Sequence, residues 1–228
     1  ILQQLGVGLV LRPNQGQHGT LFVLGSRATK DDAVPSVILA AEHYNMIARL
    51  VQHGTPVRLN AEVRAKYQAA DTSGYNVIAE IRGRSRPDEI VLLAAHLDSW
   101  DMGQGAIDDG SGVAIITAAA RLIRDLPQRP RRTIRVVLAG AEENGIHGGA
   151  AYARAHGADN HVVALESDFG AGRVWRFDTR FADSAMPYAR AFQRALAPLG
   201  VLPGNNEADG GADVSAIREA GAPVVDLS

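Results

Sequence analysis

The chain has 228 residues, 46% of them apolar, a formal net charge of −2 and no cysteine. That length is at the upper end for one α/β domain, and the charge gives no broad electrostatic case for nucleic acid or an anionic membrane. Without cysteine there is no disulfide, thiolate metal site or cysteine nucleophile, and no run approaches the roughly 20 apolar residues of a membrane-spanning helix.

The chain opens on "ILQQLGVGLVLRP", with no initiator Met and no signal-peptide pattern, and stops on the strand-like "GAPVVDLS". Both ends read as cuts through a larger protein. Within residues 1–60, "VGLVL" and "TLFVL" read as strands, and "SVILAAEHYNMIARLVQHG" as a strand running into a helix. On that helix Tyr44, Ile47, Leu50 and Val51 form an apolar stripe, and Gly54 suits its C-terminal end. "PVRLNAEVRAKYQ" alternates in the manner of a half-exposed strand.

From Tyr75 the texture changes. "YNVIAEI" and "EIVLLAA" are predicted strands, the second nearly all apolar, which suits a central strand covered on both faces. Val113, Ile116, Ala120 and Ile123 recur at helical spacing over Gly112–Leu126, and Pro127 stops the helix. "RTIRVVLAGA" is a strand, "HGGAAYARAHG" a helix, and "HVVALES" and "RVWRFD" are strands. "ADSAMPYARAFQRALAPLG" and "GADVSAIREAG" are helices, and "APVVDL" is a strand. Strand alternating with helix predicts an α/β fold, a mostly parallel mixed sheet with helices on both faces.

In such sheets ligands collect beyond the C-terminal ends of strands. His96 and Asp98 follow one strand, Glu142 and Glu143 a second, and Asp168 a third. One histidine among carboxylates is a donor set for zinc or a similar divalent ion. A pair of ions needs a bridging carboxylate, and either Asp108 or Asp109 is placed for that. Asp98, two residues after His96, can take the other imidazole N–H. Adjacent glutamates point in different directions, so one can ligate while its neighbour serves as general base.

The stretches "AAHLDSWDMGQGAIDDGSG", "AGAEENGIHGG" and "ALESDFG" resemble those of the co-catalytic di-zinc exopeptidases, most closely the carboxypeptidase Q-like branch. The resemblance covers roughly residues 75–228. A weaker one, resting on "VPSVILAAEHYNMIARLVQHGTPVRL", makes residues 1–60 similar to part of a β-rich protease-associated domain. This implies a partial protease-associated-like region at 1–60 and a catalytic domain at 61–228 lacking its C-terminal end. The resemblance implies that His96, Asp108 and Asp168 hold one zinc ion and that Asp108 bridges to a second, which Glu143 also holds. It further implies Glu142 as general base, Asp98 as the residue orienting His96, and a cis peptide between Asp108 and Asp109. The family's second ion needs a further His after the strand matching "APVVDLS", where this sequence stops. Two Zn2+ ions are therefore expected in the whole protein, and one or none, without activity, in these residues alone. Small peptides as substrates, dimerisation and a secreted or periplasmic location follow from the resemblance only.

Asp101, Asp109 and Glu166 are read equally well as solvated loop acids, and Asp109 as a residue that fixes its loop by hydrogen bonds. His147 shares a helix face with Glu143 but suits the first turn of a surface helix better than a ligand. His18, His43 and His53 read as surface or core residues. Trp100 can wall a substrate pocket or simply pack. No Gly-Lys-Ser/Thr follows the glycine-rich loop and no G-x-S-x-G elbow exists, against a phosphate cradle and a serine hydrolase. Two rivals remain, a non-catalytic scaffold on the same fold and a di-zinc amidohydrolase for N-acyl compounds. Both amino- and carboxypeptidase action stay open.

Overall fold

The computed structural model describes residues 2–21, 34–64, 66, 71–100, 103–168, 170 and 172–228. The chain divides into two units, Ile1–Thr72 and Ser73–Ser228. In the first, β1 (Val10–Pro13) and β2 (Ser36–Leu39) pair in parallel, and α1 (Ala41–Gln52) follows directly. The helix ends where Gly54, at φ 71°, donates to Val51, and Thr55 donates to the Leu50 carbonyl. Only glycine enters that left-handed position without a Cβ penalty. Tyr44 and Ile47 are half-buried, whereas Leu50 and Val51 are exposed.

Of the strand expected over "PVRLNAEVRAKYQ", the described residues 56–64 form none. Alternation makes a strand only where an edge pairs with it and one face is covered. Here Leu59 and Val63 are themselves exposed. "TLFVL" lies mostly outside the described residues.

In the second unit the order is β3 (Val77–Ile81), β4 (Arg86–His96), α2 (Gly110–Arg124), β5 (Arg132–Ala139), α3 (His147–His156) and β6 (Asn160–Glu166). There follow β7 (Arg176–Arg180), α4 (Met186–Leu196), β8 (Leu202–Pro203), α5 (Ser215–Glu219) and β9 (Val224–Leu227). Among the described residues the strands form one sheet in the order β3-β5-β4-β6-β9-β7-β8. Neighbours from β5 to β9 run parallel, while β3 opposes β5 and β7 opposes β9. This is the mixed, mostly parallel α/β sheet that the sequence predicts.

Alternate side chains of β4 enter different cores. Leu92 and Ala94 join Val137, Tyr152, Val214 and Ile217 on the face carrying α3 and α5. Leu93 and Ala95 join Ile134, Val136 and Ile116 of α2 on the other. Val113, Ala120 and Ile123 pack against that second cluster, completing the predicted stripe. Burying each Leu- or Ile-sized side chain contributes roughly 1.5–3 kcal/mol, so β4 is fixed in register from both sides. Because β4 lies between β5 and β6, the C-terminal ends of all three strands reach one edge of the sheet.

Candidate metal centre

His96 is the last residue of β4 and only 1% exposed. Its Nδ1 lies 3.0 Å from the backbone carbonyl oxygen of Asp98. A carbonyl only accepts, so Nδ1 carries the proton and Nε2 faces the acids, 3.0 Å from Asp108 Oδ1 and 3.4 Å from Asp168 Oδ1. Burial disfavours the imidazolium, but the hydrogen bond and charge of Asp168, with the charges of Asp109 and Glu142, outweigh it and raise the pKa to about 10. The field at this edge therefore strongly favours a cation.

The Asp98 side chain faces both His96 and the two glutamates. It lies 3.7 Å from His96 Nδ1, while Oδ1 accepts the Glu142 amide at 2.9 Å and Oδ2 the Glu143 amide at 3.2 Å. Its backbone orients the histidine and its side chain holds the two glutamates. Ala141, just before them, sits at φ 58°, a left-handed conformation costing an L-residue about 1–2 kcal/mol. Asn76 steadies the same loop, accepting from the Gly140 amide at 3.1 Å and donating to the Gly148 carbonyl at 2.9 Å. Sequence reasoning missed Asn76, since nothing local marks it.

Asp109 fixes its loop by hydrogen bonds. It is 1% exposed, caps α2 by accepting from the Gly112 amide at 3.0 Å, and accepts from the His96 amide at 3.0 Å with its other oxygen. Burial is the main reason its pKa rises to about 6. The Asp108–Asp109 peptide is cis, as the resemblance implies. Gly112 permits the approach of α2 to the end of β6, because a Cβ there would run into the Ser167 carbonyl.

Two sets of potential ligands emerge among the described residues: His96, Asp108 and Glu143, and His96, Asp109 and Asp168, each with ligand atoms within 4.8 Å of one another. Two ligands of one tetrahedral zinc lie about 3.4 Å apart, so a small closure of the side chains suffices. Glu143 Oε1 is buried without a hydrogen-bond partner, and burial is the main cause of that residue's raised pKa. The half-buried Trp100 donates to the Glu143 side chain. Glu142 has its pKa pushed up to about 7, chiefly by burial, with His96 opposing and Asp213, Asp168 and Glu143 adding to the rise. Thus the structure brings His96, Asp98, Asp108, Glu142, Glu143 and Asp168 together, and it groups Glu143 with His96.

Asp101 lies outside the described residues. His147 is exposed at the start of α3, outside both ligand sets. His156 pairs with Asp159 at 3.1 Å, and His161, at the opposite end of β6, meets the Tyr152 hydroxyl at 2.8 Å. Glu166 is no solvated loop acid, being 2% exposed. Asp213, absent from the expected site, is 3% exposed nearby; burial is the main reason both carboxyl pKa values rise, with the Asp213 charge adding to the rise of Glu166 and a Glu166 hydrogen bond opposing that of Asp213.

The fold and site define an α/β protein with a candidate metal centre of one imidazole and several carboxylates on three adjacent strand ends. The chain belongs to Peptidase family M28, whose pattern matches residues 76–228, and falls in its carboxypeptidase Q-like branch. It is 35% identical to carboxypeptidase Q of Rattus norvegicus over 196 residues, covering 85% of this chain and 41% of that protein. The solved Peptidase M28 precursor of Shewanella amazonensis is 41% identical with a TM-score of 0.80, covering 97% of this chain and 51% of that one. An aminopeptidase of Aneurinibacillus sp. shares the fold at 19% identity and a TM-score of 0.63, covering 99% of this chain and 56% of that one. The chain thus spans about half or less of the length of these relatives.

Proposed function

We propose that the whole protein is a zinc-dependent exopeptidase acting on small peptides, with the centre described above as its active site. The observation that carries this is the meeting of His96 Nε2, Asp108, Glu143 and Asp168 at one sheet edge, with Glu142 beside them. The donor set suits zinc: one imidazole nitrogen, carboxylate oxygens, and the unpartnered Glu143 Oε1. His96, Asp108 and Asp168 would hold one ion, His96 Nε2 lying 3.0 Å from Asp108 Oδ1 and 3.4 Å from Asp168 Oδ1, and Asp108 and Glu143 would contribute to a second position. The imidazole contributes once, so these residues hold one ion more tightly than two. When bound, zinc polarises the scissile carbonyl and lowers the pKa of water to about 7.

The chain's own residues supply the rest. The Asp98 carbonyl keeps the His96 proton on Nδ1 and leaves Nε2 free to ligate. The Asp98 carboxylate fixes both glutamate amides, so Glu143 and Glu142 are held toward different tasks. Glu142 accepts a proton from the attacking water on its carboxylate and returns it to the leaving amine nitrogen. A secreted or periplasmic location and a homodimer belong to the same proposal, on resemblance. No described helix is long and apolar enough to cross a membrane.

The test is Glu142→Gln in the whole protein. Turnover of small peptides is expected to fall by about 10²–10⁴-fold while zinc content, measured by metal analysis, stays as in wild type. Loss of zinc in this variant would contradict the assignment.

A further inference from the structure

Glu166 and Asp213 are two carboxylates at 2% and 3% exposure, close to the centre but outside both ligand sets. Each keeps one buried oxygen, Glu166 Oε1 and Asp213 Oδ2, without a hydrogen-bond partner. Their other oxygens are engaged. Glu166 Oε2 accepts the Asp213 amide at 2.7 Å, and Asp213 Oδ1 accepts the Gly149 amide at 3.0 Å. Gly149 is in the first turn of α3, whose own N-cap, Ile146, sits at φ 59° and supplies no side-chain acceptor. The orphan Gly149 amide of that turn is thus met from a residue 64 positions away. The Glu166 amide in turn donates to the Gly210 carbonyl at 2.8 Å.

The approach is built in sterically. A Cβ on Gly149 would collide with Asp213, and one on Gly211, at φ 111°, with the Glu166 carboxylate. A helix cap alone needs only a Ser or Asn, and burying two carboxylates side by side is costly. What the pair adds is a rigid connection. Glu166 stands two residues before Asp168, and α3 begins four residues after Glu143.

We propose that Glu166 and Asp213 form a buried clasp that joins the Asp168 end of β6 to the first turn of α3, and so sets the separation between Asp168 and the Glu142–Glu143 pair. They are positioning residues: they act through the ligands and touch no reacting atom. The clasp rests on the metal-centre proposal above.

The experiment is Co2+ uptake by the metal-free whole protein, followed by visible absorption, whose band intensities report ligand geometry, together with kcat and KM. Asp213→Ala and Glu166→Ala should each weaken Co2+ binding and lower kcat by about 10- to 100-fold, with altered bands and little change in KM. The double variant should lose about as much as either single one, because both break one connection. Asp213→Asn keeps an acceptor for Gly149 and offers an N–H to Glu166, and should recover the wild-type spectrum. If one alanine variant fails to fold, the other carries the same measurement. Wild-type bands and affinity in a folded alanine variant, or an Asp213→Asn variant as impaired as Asp213→Ala, overturn the clasp. Absence of Co2+ uptake by the wild type overturns instead the metal-centre proposal on which it rests.

Discussion

Removing the Asp98 carboxylate separates two roles that one residue combines. In Asp98→Ala the backbone carbonyl that receives His96 Nδ1 stays, while the acceptors for the Glu142 and Glu143 amides, at 2.9 and 3.2 Å, are lost. A hydrogen bond to a charged group is worth about 1.5–3 kcal/mol, which puts an upper limit of about 3–6 kcal/mol on the pair. The side chain is 24% exposed, so water can reach part of the gap. A net loss of about 2–3 kcal/mol, below that limit, is expected once water replaces part of those bonds. Ala141 adds to the effect, since its left-handed backbone can relax once the loop is released. If that energy is spent on positioning, kcat/KM falls by about 30- to 150-fold. Asp98→Asn keeps one acceptor oxygen and should fall by about 5- to 12-fold. The assay is small-peptide hydrolysis by the zinc-saturated whole protein, with urea unfolding alongside. A kcat/KM for Asp98→Ala within about twofold of wild type, a difference of under about 0.5 kcal/mol, would refute the reasoning.

Gly112→Ala pushes a methyl group toward the Ser167 carbonyl and the Asp109 cap, so urea unfolding should show about 1–3 kcal/mol of destabilisation, with weaker zinc binding. Unchanged stability and affinity would mean that α2 can back away without disturbing the site. At the other end of the sheet, Asp159 has its pKa held below the ordinary 3.8, first by the Arg135 hydrogen bond. A depressed folded-state pKa stabilises fully above the unfolded value and is lost as pH falls through the folded one. The Asp159 side chain is 35% exposed and so partly screened by water, and Asp159→Asn should therefore cost about 0.5–1.5 kcal/mol at neutral pH, a deficit that should shrink as the pH drops below 3.8. A deficit of constant size across that range would argue against the ion pair.

What the sequence discloses depends on how far a signal must travel along the chain. β4 is plain because both its faces are buried, leaving a continuous apolar run from Ile90 to Ala95. α2 is plain because Val113, Ile116, Ala120 and Ile123 repeat at the helical period and meet one core. The candidate ligands His96, Glu143 and Asp168 are legible because each lies at a strand end or within a few residues of one, whereas Asp108 stands twelve residues beyond β4, beside the N-cap of α2. β8 is not legible, being two exposed residues, Leu202 and Pro203, that become a strand only by pairing with β7. Residues 56–64 mislead in the opposite sense, since they alternate yet pair with no strand among the described residues. Asp213 and Glu166 stand 47 positions apart, and only the placement of β9 beside β6 brings the Gly210–Asp213 turn over the end of β6. The Asp98 carboxylate is partly legible: its nearness to His96 shows in the spacing, but its grip on Glu142 and Glu143 needs β4 beside β5.

The sheet order also has a consequence for biogenesis. β9 is late in the sequence but lies inside the sheet, between β6 and β7. Ala164 finds its partner Val224 only after 60 further residues have been made. At about 5–20 residues per second, a nascent chain carries the free edge of β6 for several seconds. An unpaired edge flanked by apolar faces is a site for pairing with other chains, so this interval is when aggregation competes with folding. Asp213 emerges in the same late portion, and until it arrives the first turn of α3 lacks its cap. The acidic edge thus assembles only after the residues from Gly210 to Val224 have been made and placed beside β6, which delays the candidate metal-binding arrangement by the same interval.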